Sequence, residues 1–232
     1  MSEQMIKKVL ITGANGFIGG SLMRYYQNQG QDVVGVDLVG NGNDIIEGDI
    51  AQPDSISNVL QECDVIIHTA ALVSNAMQDS DMWRVNVLAT RNLIEAAKEH
   101  KVRRFVQISS VVAYGNSAEG ELDESQPVHA DGGSYVLTKL ASEHVVLGAQ
   151  ANDDIEVVIL RPGDAYGPGS RPWIIAPLEA IAKNQFMLPA KGEGFFRPIY
   201  IDDLVRGIVM ATSHPDAAGE IFNISCEGYM AT

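Results

Sequence analysis

Short apolar runs alternate along the chain with longer amphipathic stretches. Lys7–Thr12 reads as a buried strand, followed by glycine-rich punctuation and a helix to about Asn28. Asp32–Val36 is a second short strand and Asp44–Glu47 a weak third. Asp64–His68, Arg104–Ile108 and Ile155–Leu160 supply the fourth, fifth and sixth. Helical periodicity falls between them, most clearly over Ser80–Glu99 and Tyr135–Ala149. Near-continuous apolar strands alternating with helices imply a parallel sheet covered on both faces. Right-handed crossovers then predict an α/β, doubly wound fold.

After Leu160 the pattern changes. Residues 161–198 hold six of the nine prolines, with one short helix near Pro172–Lys183. A helix over Asp202–Ser213 and a short strand over Glu220–Ile224 follow. Trp173, Phe186, Phe195 and Phe196 are expected to find burial there, which makes this stretch a loop-rich lobe and not a linker.

Composition narrows the class. The chain has 232 residues, 46% hydrophobic and 20% charged, enough for a sizeable core without a disulfide or metal staple. Its net charge of −14 sets it against nucleic acid and anionic membranes. Cys63 and Cys226 form no C-x-x-C pair and the five histidines do not cluster, so no zinc site is expected. No apolar run approaches ~18 residues, and the N-terminus lacks a signal peptide's apolar segment. A cytosolic enzyme acting on a small molecule is expected.

Thr12-Gly13-Ala14-Asn15-Gly16-Phe17-Ile18-Gly19 lies between the first strand and its helix. Gly13 permits the tight turn, Gly16 a close backbone approach to a pyrophosphate, and Gly19 close helix–strand packing. The helix N-terminus then offers free N–H groups to the anion. The motif alone could be a loop, but the flanking strand and helix are the context it requires. This is the Rossmann-type arrangement: residues 1–160 as the dinucleotide-binding domain, and 161–232 as a substrate lobe interleaved with the last part of the sheet. Asp37, 24 residues after Gly13, ends the second strand. A carboxylate there accepts bonds from both ribose hydroxyls and repels a 2′-phosphate, which favours NAD over NADP. The bland alternative is a strand-end turn residue. Asp49 and Ile50 sit where an adenine ring would lie, or simply form a turn.

These residues resemble the extended short-chain dehydrogenase/reductase family, of NAD-dependent epimerase/dehydratase type. The resemblance spans nearly the whole chain. It includes Asp64-Val65-Ile66-Ile67-His68-Thr69-Ala70-Ala71, Asn86-Val87-x-x-Thr90, Ser109-Ser110 with Tyr114-Gly115, and Tyr135-x-x-x-Lys139. Arg161-Pro162 with Tyr166-Gly167-Pro168-Gly169, and Tyr200-Ile201-Asp202-Asp203, complete it. It implies that Asn15, Phe17 and Ile18 of the glycine loop meet NAD and that Thr69, Ala70, Ala71 and Asn86 line or support it. It implies that Pro162 and Gly163 border the nicotinamide. Ser110, Tyr135 and Lys139 would be catalytic, the last two also touching the cofactor. Arg197 and Tyr166 would lie on the substrate side, and the family's helix pairing implies a homodimer.

Tyr135 and Lys139 lie four apart on a predicted helix and so share a face. A free tyrosine, with a pKa near ~10, is a poor base at neutral pH. An ammonium about 4 Å away at an effective dielectric near 20 favours the phenolate by ~4 kcal/mol. That is roughly three pKa units, so a lowered Tyr135 pKa is expected. Ser110 would hold the substrate oxygen while Tyr135 moves the hydroxyl proton and a hydride passes to or from the nicotinamide. A surface Tyr–Lys pair is the bland reading.

The chain departs from its relatives at three places. Val111 and Val112 follow Ser110 where dehydratases and sugar-acid decarboxylases carry an acid, so 4,6-dehydration is not expected. Phe196 occupies the slot of a diphosphate-binding arginine, with Arg197 one residue later, either reaching a substrate phosphate or simply solvated. Thr232 ends the chain where relatives begin a further helical segment, so the substrate half is expected to be minimal or incomplete. A sugar-nucleotide epimerase is the leading expectation. A dehydrogenase or reductase of a non-sugar small molecule is the enzymatic rival, and a non-catalytic dinucleotide-binding subunit the other.

Overall fold

The computed structural model describes residues 6–73, 78–115, 122–151, 154–187, 195–226 and 230–231. Strand β1 (Lys8–Thr12) leads into helix α1 (Phe17–Asn28), then β2 (Asp32–Asp37) and β3 (Ile45–Glu47). A short helix α2 (Ser57–Leu60) precedes β4 (Val65–His68). Helix α3 (Asp79–Trp83) runs through a wide π-helical turn, Arg84–Ala89, into α4 (Thr90–Glu99). Then come β5 (Arg104–Ile108), α5 (Ser134–Gln150) and β6 (Glu156–Pro162). The lobe adds β7 (Asp164–Tyr166), α6 (Ala176–Ala182), β8 (Phe195–Phe196), β9 (Pro198–Tyr200), α7 (Ile201–Ser213), β10 (Ile221–Ile224) and β11 (Met230–Ala231).

The seven-stranded sheet has the order β10-β6-β5-β4-β1-β2-β3, and all its pairings are parallel. The strand order reverses between β1 and β4, where Thr12 lies in register with His68. That reversal leaves a crevice beyond the strands' carboxyl ends, the usual ligand site of such sheets.

Strand periodicity of two sorts the core into two layers. Leu10, Val36, Ile66, Phe105, Val157 and Ile159 pack with Leu93, Ile94 and Ala97 of α4 and Val146 of α5. Val9, Ile11, Ile67, Val106, Val158 and Leu160 pack with Leu22 and Tyr26 of α1 and Leu204 and Ile208 of α7. Both faces being covered explains why the strands read as unbroken apolar runs.

The expected aromatic burial in the lobe is corrected. Trp173 is 42% exposed and Phe186 48% exposed. Trp173 instead stacks at a tilt on Phe196, with ring centroids 4.8 Å apart, which gives each ring one apolar neighbour at the surface. The Phe195 side chain lies outside the described set. Among the described residues no helix is long and apolar enough to cross a membrane.

Candidate functional site

The chain leaves β1 on Gly13, whose φ of +69° suits glycine. A Cβ there would stand 2.8 Å from the Ala70 Cα, and one on Gly19 2.2 Å from the Gly13 carbonyl oxygen. The loop thus packs on the segment after β4 with no room for side chains. Thr69 locks that contact, its hydroxyl donating to the Thr12 carbonyl at 2.6 Å. Gly16 is the residue before α1 and no side chain caps that helix. Its first-turn amides, at Phe17, Ile18 and Gly19, remain for an anion. An uncapped helix start joined to a loop too tight for a Cβ is a cradle that fits a dinucleotide pyrophosphate.

Asp37 closes β2 beside this loop. Its carboxylate accepts the Asn15 N–H at 2.9 Å and the Leu38 N–H at 2.8 Å, while Asn15 Nδ2 donates to the Val39 carbonyl. Asp49 forms a turn, accepting the Ala51 N–H at 2.9 Å, and Ile50 packs into the core. Asn86, buried in the π-helical turn, accepts the Leu72 N–H at 2.7 Å and donates to the Leu72 carbonyl and the Thr138 hydroxyl. It therefore ties the segment containing Ala71 to α5.

His68 holds the crevice floor. Thr90 donates its hydroxyl proton to the Asn86 carbonyl, so its oxygen accepts from His68 Nε2 at 2.9 Å. The other ring nitrogen then accepts from Thr12 Oγ1 at 2.7 Å. Burial pushes this imidazole down to about 3, with the nearby Lys139 charge adding to the effect.

Ser110 follows β5 and accepts the Val112 N–H at 3.3 Å. Tyr135 reaches it from α5 by a hydrogen bond, with Lys139 one turn further along the helix. Lys139 Nζ donates to the Ile108 carbonyl at 2.9 Å and lies 5.8 Å from the Tyr135 ring centroid. Burial lowers Lys139 to about 8, opposed by the negative charge of Glu143. The expected lowering of Tyr135 is corrected. Burial pushes the phenol up to about 12, and a hydrogen bond with Ser110 offsets this only in part. Lys139 spends its proton on a backbone carbonyl instead of the phenol oxygen, so desolvation wins within the chain itself.

Pro162 ends β6, and Gly163 donates to the Ile224 carbonyl at 2.9 Å. A Cβ on Gly163 would stand 2.3 Å from the Arg197 carbonyl oxygen, so this turn sits against the strand pair β7–β9. Arg197 is half-buried and donates its backbone N–H to Asp164 Oδ2 at 3.0 Å. Burial raises the Asp164 carboxyl, and that bond and the Arg197 charge pull it back. Tyr166 meets Tyr200 edge-on, with centroids 5.5 Å apart.

Three groups behind this site carry no role in the sequence reading: Ser109 and Arg161, which stand inside quoted motifs, and Glu143, which stands in none. Glu143 accepts from Ser109 Oγ at 2.5 Å and from Arg161 Nε and Nη2 at 3.0 and 2.7 Å. The sequence signals for them are an acid one helical turn after Lys139 and an arginine at the end of an apolar strand.

The family model described as the NAD dependent epimerase/dehydratase family matches residues 9–225. The dTDP-glucose 4,6-dehydratase of Streptomyces niveus is 29% identical over 94% of this chain and 72% of its own. The UDP-glucose 4-epimerase of Vibrio cholerae is 30% identical over 96% of this chain and 72% of its own. Among solved structures, MoeE5 in complex with UDP-glucose and NAD has a TM-score of 0.87 at 30% identity, covering 97% of this chain and 78% of that one.

Proposed function

Because the chain belongs to the NAD dependent epimerase/dehydratase family, we propose that it inverts a secondary hydroxyl of a sugar nucleotide by oxidation and re-reduction, as a C4-type epimerase. The observation that carries this reading is the convergence of Ser110, Tyr135 and Lys139 with no carboxyl in the Val111–Val112 segment beside them. Hydride transfer and one proton carrier suffice for epimerisation, whereas eliminating water needs a further acid. NAD supplies the hydride acceptor and then the donor.

The glycine loop and the first turn of α1 hold the pyrophosphate, and Asp37 takes the adenosine ribose hydroxyls. Asp49 and Ile50 border the adenine. Thr69, Ala70 and Ala71 form the wall opposite the loop, with Asn86 fixing that wall to α5. Pro162 and Gly163 border the nicotinamide. Ser110 orients the substrate hydroxyl and Tyr135 takes and returns its proton, while Lys139 holds the nicotinamide ribose and its charge, together with that of the bound nicotinamide, would oppose the desolvation that raises the phenol. Tyr166 and Arg197 face the substrate. Residues 1–160 serve the cofactor and 161–232 the substrate.

The chain acts as a two-fold dimer through helices 81–99 and 135–150. Val136 and Val146 are buried in this subunit's own structure, so the support comes from Trp83 and Leu88, 41% and 51% exposed on the α3–α4 stretch. A reducing compartment, the cytoplasm, suits the free thiols Cys63 and Cys226.

Incubation with NAD and UDP-glucose or UDP-glucuronic acid, followed by proton NMR, tests the reading. The C4 epimer with no net NADH is expected. Net NADH from a substrate hydroxyl would show a dehydrogenase instead. That second reading is favoured by Phe196, which stacks on Trp173 in the slot where the family resemblance implies a diphosphate-binding arginine.

A further inference from the structure

Glu143 is 2% exposed, yet it is an acid. Its surroundings explain its retention. The carboxylate receives three donors, from Ser109 and twice from Arg161, and the Arg161–Glu143 pair is itself buried. Arg161 then donates to the Tyr114 hydroxyl at 3.0 Å and lies over its ring, 4.8 Å from the centroid. Tyr114 in turn shares its proton between the Asp123 carbonyl and Asn223 Oδ1, each at 3.0 Å. Such a buried pair adds little stability over apolar packing of equal volume.

Each tether ends next to a residue of the site. Ser109 precedes Ser110. Arg161 precedes Pro162 and Gly163. Glu143 stands one turn after Lys139 on the same helix face. Lys139 has a single hydrogen-bond acceptor among the described contacts, the Ile108 carbonyl, which carries no formal charge. The groups facing Lys139 are Tyr135 and Glu143 on its own helix, neutral His68 from β4, and, behind Glu143, Arg161 from β6. Asp79 on α3, packed against α5, is engaged by Ser134.

We propose that Glu143, held by Arg161, is a positioning residue that keeps Lys139 charged and clamps the ends of β5 and β6 and the helix of Tyr135 into one unit. It rests on the reading of Ser110, Tyr135 and Lys139 given above. A negative charge near a buried ammonium favours its protonated form. Without it, Lys139 loses its proton at lower pH, and the interactions that need the ammonium fail earlier as pH rises.

The test uses the full chain with Glu143→Gln, which keeps shape and removes charge. NAD affinity is measured by calorimetry across pH, together with turnover of the substrate found. Both are expected to decline at high pH, and the variant's decline should begin at least about half a pH unit lower. Its turnover should fall at least about tenfold near neutrality. Glu143→Asp should restore the position of the decline. An unshifted decline in Glu143→Gln would overturn the proposal, whatever its melting temperature. Should Glu143→Gln fail to fold, Ser109→Ala and Glu143→Asp decide: turnover reduced several-fold with the decline in place is expected, and wild-type turnover in both overturns it. Tyr135→Phe separates the two ideas. If it retains turnover, the underlying catalytic reading fails; if it loses turnover while Glu143→Gln behaves as wild type, only the present proposal does.

Discussion

Tyr135 shows how a single residue's surroundings decide its chemistry. Helical spacing brings Lys139 to it, but burial acts on the phenol itself and holds it at about 12. The protein alone should therefore show no Tyr135 phenolate below pH 10, in ultraviolet difference spectra between the wild type and Tyr135→Phe. Adding NAD brings a positive ring and should move that titration downward by one unit or more, on the order expected of a cation nearby. Turnover in Tyr135→Phe should fall at least ~10²-fold, with NAD affinity little changed. Asp37 makes a second case. Its carboxylate should make NAD bind more tightly than NADP, and Asp37→Ala should narrow the gap by roughly tenfold, about 1.4 kcal/mol, in parallel titrations. His68 carries an acid-side prediction. Its folded value of about 3 lies below the ~6.5 of a free imidazole. The stability tied to the neutral ring is complete above pH ~6.5 and is lost as pH falls toward 3, amounting to about 2 kcal/mol by pH 5. Thermal melts should show a shallower acid-side decline for His68→Asn than for the wild type.

At the scale of elements, the β1–α1 junction concentrates the constraint. Gly19→Ala would set a methyl 2.2 Å from a backbone oxygen, and backbone on both sides cannot yield cheaply. The loop must open, so NAD affinity should drop at least about tenfold while the sheet survives. Calorimetry and circular dichroism on one sample check both halves. The glycine spacing made this junction legible in the sequence, because only a strand, a tight turn and a helix start need glycine at those positions. The clamp of Ser109, Glu143 and Arg161 was not legible, because its members come from the residue after β5, from α5 and from β6, and only the finished fold brings those three together.

At the scale of the molecule, the parallel sheet places every terminus of interest at one edge and leaves the α3–α4 stretch with exposed Trp83 and Leu88. A two-fold interface there repeats each exposed side chain across the axis. Light scattering at micromolar concentration should report a dimer for the wild type and a monomer for Leu88→Arg, with the melting temperature of the subunit itself little altered. A wild-type monomer would reject the arrangement.

Apart from α2 and the short strands β7, β8, β9 and β11, the succession of strands and helices was determined by sequence alone, as were the glycine loop and the Tyr135–Lys139 pair. Each is a local pattern: period 2, period 3.6, or glycine where a Cβ cannot fit. The aromatic residues of the lobe and the ionisation of the site were decided by tertiary structure. Trp173 finds a partner in Phe196 at the surface instead of a core. Tyr135, Lys139 and His68 take their pKa values from how much water the finished fold removes. Desolvation depends on all the segments that close around a group, and no spacing along the chain encodes it.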